Sequence, residues 1–277
     1  MTADRLRTWR DGLVKTAPRI RTKDGEKQKH RHATGENASR ARRASANRTW
    51  TILRAALNHA FNDGKVANDV AWRKVRPFKK VDRARIRYLS VVECKRLINA
   101  CDPDFRRLVQ AALFSGCRFG ELTRLVVADF NSDSGTVGIR QSKSGHSRNI
   151  VLTAEGQAFF AELTAGRSGD EVMLRKPDGS AWRASHQLRP MAEAVNRAKI
   201  KPAISFHGLR HSWASLAVMN NVPPMVVARN LGHSDTRMVE KFYGHLSQSY
   251  VADAIRAGAP RFGFKPEKKI VALRGRS

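Results

Sequence analysis

Residues 205–215 read Ser205-Phe206-His207-Gly208-Leu209-Arg210-His211-Ser212-Trp213-Ala214-Ser215. His207 and Arg210 stand three apart, so on a helix they project from one face and offer a proton-transfer group and a cation to a single anion. An ordinary amphipathic helix with two basic residues would look the same, so the surroundings must carry the weight. Downstream comes Asn230-Leu231-Gly232-His233-Ser234-Asp235, where Gly232 can end a helix in the left-handed conformation and fix where His233 points. Then follows Glu240-Lys241-Phe242-Tyr243-Gly244-His245-Leu246, which holds one of only three tyrosines in the chain. Upstream, Ser115-Gly116-Cys117-Arg118-Phe119-Gly120-Glu121-Leu122 places an arginine between two glycines, with a carboxylate one turn on that can pin the guanidinium. Lys143 sits at the tip of a predicted hairpin in Gln141-Ser142-Lys143-Ser144-Gly145-His146.

The composition says what such a cluster would meet. The 277 residues carry 52 Lys and Arg against 24 Asp and Glu, a formal charge of +28. A compact chain with that excess repels itself unless a polyanion neutralises it. Nucleic acid fits, because each phosphate neutralised releases counterions and adds salt-dependent affinity. An acidic membrane surface would require a one-sided basic amphipathic helix or a lipidation signal, and neither is visible. No stretch approaches 18 consecutive apolar residues and the N-terminus has no apolar signal region, so the expectation is a cytoplasmic protein without a membrane partner. Cys94, Cys101 and Cys117 are scattered and odd in number, which argues against a disulfide framework or structural zinc. No phosphate-cradling loop of the nucleotide-hydrolase kind occurs.

The pattern of elements predicts a mainly α protein with a small antiparallel β-sheet. The first 87 residues hold 24 Lys and Arg against 8 Asp and Glu. Residues 21–47 are polar and basic with Ala as the only apolar type, and read equally as a solvated linker or as a segment ordered against phosphates. Trp50, Leu53, Leu57, Ala60 and Phe61 mark an amphipathic helix, with Asn47 as its cap and Gly64 as its stop. Residues 75–87 carry Pro77 and six Lys and Arg and read as a linker. A second domain begins near Tyr88, where Ser90 and Glu93 form a capping box for a helix to about Cys101. A further helix over 103–114, two strands at 136–139 and 149–152, and helices near 153–163, 184–199, 208–219, 223–231 and 239–257 complete it.

In-line chemistry at a phosphodiester needs fixed cations on the non-bridging oxygens, a nucleophile opposite the leaving oxygen, and an acid for that oxygen. Arginine suits the clamp because its planar fork donates two hydrogen bonds and keeps its charge. A free tyrosine is a poor nucleophile, with only on the order of one in a thousand ionised at neutral pH, so it needs a base and cations nearby. Two-metal cleavage would want clustered carboxylates. Asp129, Asp133, Glu155, Asp170 and Asp178 are instead dispersed.

Taken together in this order, the segments resemble the catalytic domain of tyrosine recombinases, the phage-integrase family; HGLRHSWAS, LGHSD and YGHLS carry the likeness across roughly 88–257. A weaker likeness covers 1–83, where TILRAALNHA looks like the end of the family's helical core-binding domain. The resemblance implies a helical DNA-binding domain over 1–83, shortened relative to full-length relatives, a catalytic domain over 88–260, and a basic tail over 261–277 that docks on a neighbouring subunit or touches DNA. It implies that Tyr243 is the nucleophile, forming a 3′-phosphotyrosyl link and freeing a 5′-hydroxyl. Arg118 and Arg210 would clamp the phosphate, Lys143 would protonate the leaving oxygen, His207 would take the tyrosine proton, His233 would hydrogen-bond the phosphate, and Glu121 would orient Arg118 or the histidine rather than react. His211 reads as structural. Tyr243 lies ten residues after His233 where many relatives have nine, and Phe242 holds the nearer slot. Relatives with a double aromatic before the Gly-His-Leu place the reactive tyrosine second, and Tyr250 is too distant.

The implied partners are double-stranded DNA, a homotetramer on paired sites, and excision or DNA-bending accessory proteins; no metal, nucleotide or other cofactor is implied. Two other readings use the same residues. A type IB topoisomerase or telomere resolvase would share the chemistry with another outcome, and a non-cutting DNA-binding protein would share only the fold.

Overall fold

A computed structural model describes residues 1–31, 34–79, 81, 87–140, 147–233, 235–243, 256, 258 and 260, without the side chains of Met238, Lys241 and Phe242. The chain forms two compact units, Met1–Arg85 and Ile86–Ser277. Among the described residues no helix is long and apolar enough to cross a membrane.

The first unit contains α1 (Ala3–Lys15), α2 (Glu36–Asn62) and the short α3 (Val70–Arg73). Thr2 caps α1 by accepting the Arg5 N–H. The core is Leu6, Trp50, Trp72 and Val75, with Leu53, Leu57 and Phe61 packed against it. Trp72 Nε1 donates to Asn58 Oδ1 at 2.7 Å, satisfying the indole that burial removes from water.

Sequence and structure differ here in an instructive way. The α2 helix starts eleven residues before Asn47, so part of the basic stretch is helical. Alanine and arginine are strong helix formers, and a run of them needs little further apolar pattern to continue a helix. Asn47 therefore caps nothing. From mid-helix its side chain accepts the Phe78 N–H at 2.8 Å and donates to Phe78 O at 2.9 Å, pairing with that backbone as a neighbouring strand would. The Arg10 guanidinium lies 4.3 Å from the Phe78 ring centroid. Val75 and Phe78 thus belong to the first unit, and the start of the expected linker is part of its packing.

The second unit is mainly α with one three-stranded antiparallel sheet, the class the sequence predicts. The α4 helix (Val91–Ala100) carries the expected capping box, with Ser90 Oγ accepting the Glu93 N–H and Glu93 accepting the Ser90 N–H. The α5 helix (Pro103–Ser115) leads into the short α6 (Phe119–Leu122). Strands β1 (Phe130–Asn131), β2 (Thr136–Ile139) and β3 (Arg148–Val151) stand in that order, with Val137 opposite both Phe130 and Ile150. Then come α7 (Ala154–Thr164), α8 (Leu188–Arg197), α9 (His207–Met219), α10 (Pro224–Leu231) and α11 (Arg237–Tyr243). Two residues are too few for periodicity to reveal β1, and α8 begins four residues later than expected.

The α9 helix is the hub. Leu209 belongs to the main core with Leu108, Phe105 and Phe160, whereas Ala214 and Val218 join a smaller cluster with Val227, Leu231, Val239 and Tyr243. Ser212, fully buried, donates to Gly208 O and accepts the Leu89 N–H at 2.9 Å, fixing the entry of this unit onto α9. A helix buried on most sides is a rigid platform, and the polar residues it carries are held accordingly.

The paired hydrogen bonds of Asn47 give a stability prediction. Asn47→Ala should lower the urea stability of the first unit by about 1–3 kcal/mol, because both Phe78 backbone groups lose partners. It should also raise amide exchange at Phe78. Unchanged exchange there would contradict this role for Asn47.

Candidate active site

Two helix ends and one buried cation build the site. The α5 helix stops at Gly116 (φ 66°) and α10 stops at Gly232 (φ 70°), both in the left-handed region that favours glycine. A Cβ at Gly116 would lie 2.9 Å from Leu231 and Trp213, and one at Gly232 would lie 2.8 Å from the Arg148 side chain. Both turns therefore need glycine for conformation and for space. They deliver Arg118 two residues beyond one helix and His233 directly after the other.

Arg210 ties these ends together. Its Nη1 donates to Gly116 O at 2.9 Å, its Nη2 donates to Leu231 O at 2.7 Å, and Nη2 lies 3.0 Å from His233 Nε2. Only 4% of Arg210 is exposed. Burial, then the neighbouring Arg118, pushes its guanidinium down to about 10, so it remains charged at neutral pH. Since His233 Nε2 accepts from Arg210, the imidazole proton falls on Nδ1, which is buried and has no hydrogen-bond partner among the described residues. Burial, then Arg210 and Arg118, pushes His233 down to about 4, so the ring is neutral.

A second cationic knot forms around Glu121, itself 4% exposed. Arg118 donates to Glu121 through its backbone N–H (2.9 Å) and Nη1 (2.8 Å). Arg148, from β3, donates Nη1 and Nη2 at 3.2 and 2.8 Å to the same carboxylate, and its Nε donates to Asn230 O at 3.1 Å. Asn230 Oδ1 in turn accepts the Val151 N–H at 3.0 Å, joining α10 to β3. Burial alone would raise the Glu121 carboxyl, but Arg148 and the Arg118 N–H outweigh it and hold it at about 2. Glu121 thus pins Arg118, as the sequence suggests.

Two histidines lie on α9, and Tyr243 ends α11, which packs against that helix. His207 is exposed at the helix start, and partial desolvation, then Arg210 and Arg118, lowers it from the usual histidine range. Its ring meets the ring of His211 edge-on at 4.9 Å. Tyr243 Oη lies 2.5 Å from His211 Nδ1, and Tyr243 is only 3% exposed. Sequence reading gives the tyrosine proton to His207; in the structure the imidazole against the phenol is that of His211. Of the expected residues, Arg118, Glu121, His207, Arg210, His233 and Tyr243 surround one region, each within hydrogen-bond or electrostatic reach of another. Lys143 and the rest of its hairpin turn lie outside the described residues, as do the tail over 261–277 and most of the helix expected after Tyr243.

Two residues around this site have no role in it on sequence grounds: Arg148, which the motifs do not include, and His211, which reads as structural. Arg148 shares the inward strand face with buried Ile150, and a charge at such a position implies a buried counter-charge. His211 stands four residues after His207 on the same helical face. Both signals were available in the periodicity.

The Glu121 knot predicts a specific acid response. Its depressed carboxyl contributes stability that is present above the ordinary carboxylate pKa of 4.5 and is lost as pH falls toward about 2. Glu121→Gln should lower stability at neutral pH by roughly 3 kcal/mol and flatten the acid-dependent loss between those limits. Denaturant titrations across pH measure both, and an acid slope identical to that of the unmodified chain would contradict the assignment.

The profile of the phage integrase family matches residues 87–249. The integrase of Salmonella phage P22 is 28% identical over 224 residues, which cover 77% of this chain and 57% of that protein. The tyrosine recombinase XerA of Saccharolobus solfataricus is 23% identical over 171 residues, 61% of this chain and 56% of that protein. The chain thus spans little more than half the length of these relatives. Among solved structures, a lambda integrase(75–356) dimer bound to a COC′ core site shares the fold with a TM-score of 0.64 at 17% identity, covering 86% of this chain and 81% of that one. The matched span exceeds half of the chain and contains every residue of the site described above: the chain belongs to the phage integrase family of tyrosine recombinases.

Proposed function

We propose that this chain is a site-specific DNA recombinase that cuts and rejoins duplex DNA through a 3′-phosphotyrosyl link to Tyr243. The anchoring of Arg210 carries the reading. Held by Gly116 O, Leu231 O and His233, it gathers the segments bearing Arg118, His207, His233 and Tyr243 around a concentration of positive charge. The charged groups there depress one another, and an anion seated among them would relieve that repulsion.

In the proposed cleavage Tyr243 Oη attacks phosphorus in line, the P–O5′ bond breaks, and Lys143 protonates the departing 5′-oxygen. Arg118 and Arg210 hold the non-bridging oxygens, whose charge grows in the transition state, so their hydrogen bonds strengthen as the reaction proceeds. Glu121, with Arg148, keeps Arg118 in place. His233 lies beside the same oxygens through Arg210, and His207 stands one turn from Arg210 for acid–base work at this phosphate. The guanidiniums supply the charge stabilisation, so the step uses neither metal nor nucleotide. Each broken phosphodiester is conserved as a phosphotyrosine, which the next 5′-hydroxyl attacks.

The net charge of +28 and the DNA held by the lambda relative support double-stranded DNA as the partner. In this proposal 1–83 is the helical DNA-binding domain, 88–260 the catalytic domain and 261–277 a basic tail. Recombination joins two duplexes in a homotetramer, with excision or DNA-bending proteins as accessories.

The chemistry can be tested before the DNA site is known. A pool of nicked suicide duplexes of randomised sequence, incubated with the protein and resolved under denaturing conditions, should yield a covalent adduct whose DNA can be sequenced. Tyr243→Phe should abolish the adduct, and its survival in that variant would overturn the assignment. On the captured sequence, Arg118→Ala should slow cleavage by about 10²–10³-fold with duplex binding nearly unchanged; cleavage at the original rate would remove Arg118 from the clamp.

A further inference from the structure

The tyrosine that the proposed function makes the nucleophile rests on a side chain that has no part in it so far. His211 Nδ1 is 2.5 Å from Tyr243 Oη, with ring centroids 6.1 Å apart and planes tilted by 50°. The His207 ring meets the His211 ring edge-on, with centroids 4.9 Å apart. Tyr243 is buried with Ala214, Val227, Leu231 and Val239, which keeps bulk water from competing as its proton acceptor.

We propose that His211, rather than His207, takes the proton from Tyr243 during strand cleavage and returns it on rejoining. This rests on Tyr243 being the nucleophile. As Oη forms its bond to phosphorus, the Oη–H proton passes to Nδ1. The P–O5′ bond breaks, and its electron pair takes a proton from the acid assigned to Lys143. On rejoining, a 5′-hydroxyl attacks and yields its proton to the now neutral Lys143, the P–Oη bond breaks, and the imidazolium gives its proton back to Oη.

Elementary acid–base chemistry sets the direction of the hydrogen bond. A phenol is a far stronger acid than a neutral imidazole N–H, so against neutral His211 the phenol donates and Nδ1 accepts. The groups that face His211 keep it neutral. Burial first, then His207 and Arg210 on its own helix and His233 beyond α10, push it down to about 4. Burial pushes the Tyr243 phenol up to about 12, against the opposing pull of Arg210. Unoccupied, the pair therefore keeps its proton on oxygen. A phosphodiester seated on Arg118 and Arg210 would cancel part of the positive field at His211 and strengthen it as a base. Proton transfer is thereby coupled to the arrival of the phosphate.

The test uses the full chain and a captured duplex sequence, made with the ordinary 5′-oxygen or with sulfur in that bridging position. A thiolate leaves without protonation, so the sulfur substrate removes the need for the acid and retains the need for the base. His211→Asn should slow adduct formation by at least about 10²-fold on both substrates. Its residual rate should climb with pH across the alkaline range, because hydroxide must then ionise the phenol. Lys143→Ala should be slow on oxygen alone. Added imidazole should partly restore His211→Ala. Thermal melting and duplex binding verify that each variant is folded, and His211→Gln replaces Asn if the latter melts early. Three results would overturn the proposal: cleavage by His211→Asn at or above the original rate, recovery of that variant on the sulfur substrate, or a slow variant with an unaltered pH profile. Absence of any adduct with the unmodified chain would instead remove the proposed function itself.

Discussion

A guanidinium that has left water for a nest of backbone carbonyls holds this candidate site together. Arg210 meets Gly116 O and Leu231 O, the carbonyls at the ends of two helices, and touches His233 through the same nitrogen. Helix C-termini carry partial negative charge and unsatisfied carbonyls, so a cation there meets both electrostatic and hydrogen-bonding demand. Neutral carbonyls compensate a buried charge less well than a carboxylate does, and the site keeps a cation that is not neutralised. In the proposed function that residual charge is what meets the phosphate. It requires helices that stop at fixed places, and hence glycines at 116 and 232, and a central helix packed on most of its faces.

The two cationic knots divide the labour. Arg118 and Arg148 share one carboxylate and stay positioned whether or not a ligand is present. Arg210 has no carboxylate within hydrogen-bond reach among the described residues, and its charge adds to burial, the larger cause, in lowering His207, His211 and His233. In the proposed function an incoming phosphate would meet one arginine already oriented by Glu121 and another whose charge no carboxylate among the described residues pairs. On the proposal made above, its arrival would alter the basicity of the imidazoles nearby and so link substrate binding to proton transfer.

Much of this was legible in the residues. The Ser90–Glu93 box, the left-handed stop at Gly232, the spacing of His207 and Arg210 on α9 and the pinning of Arg118 by Glu121 are local rules, and local rules survive folding. What escaped was set by tertiary contacts. The Ala- and Arg-rich start of α2 lacks apolar periodicity, and Asn47, which looks like a cap, finds its partner 31 residues away at Phe78. Arg148 reaches Glu121 across 27 residues, and His211 reaches Tyr243 across 32. No spacing rule gives such a pairing; only an inward-facing charge or a second histidine on one helical face hints that a partner must exist.

The central claim is that Arg118, Arg210 and Tyr243 serve one phosphorus atom. A structure of the chain on a captured duplex, with vanadate bridging the strand ends at the cut site, tests it most directly, because vanadate adopts the five-coordinate geometry of the transition state. The account predicts one vanadium bonded to Tyr243 Oη at an apex, with both guanidiniums on its equatorial oxygens. Guanidiniums seated on different phosphates, or vanadate bonded to any residue other than Tyr243, would contradict it.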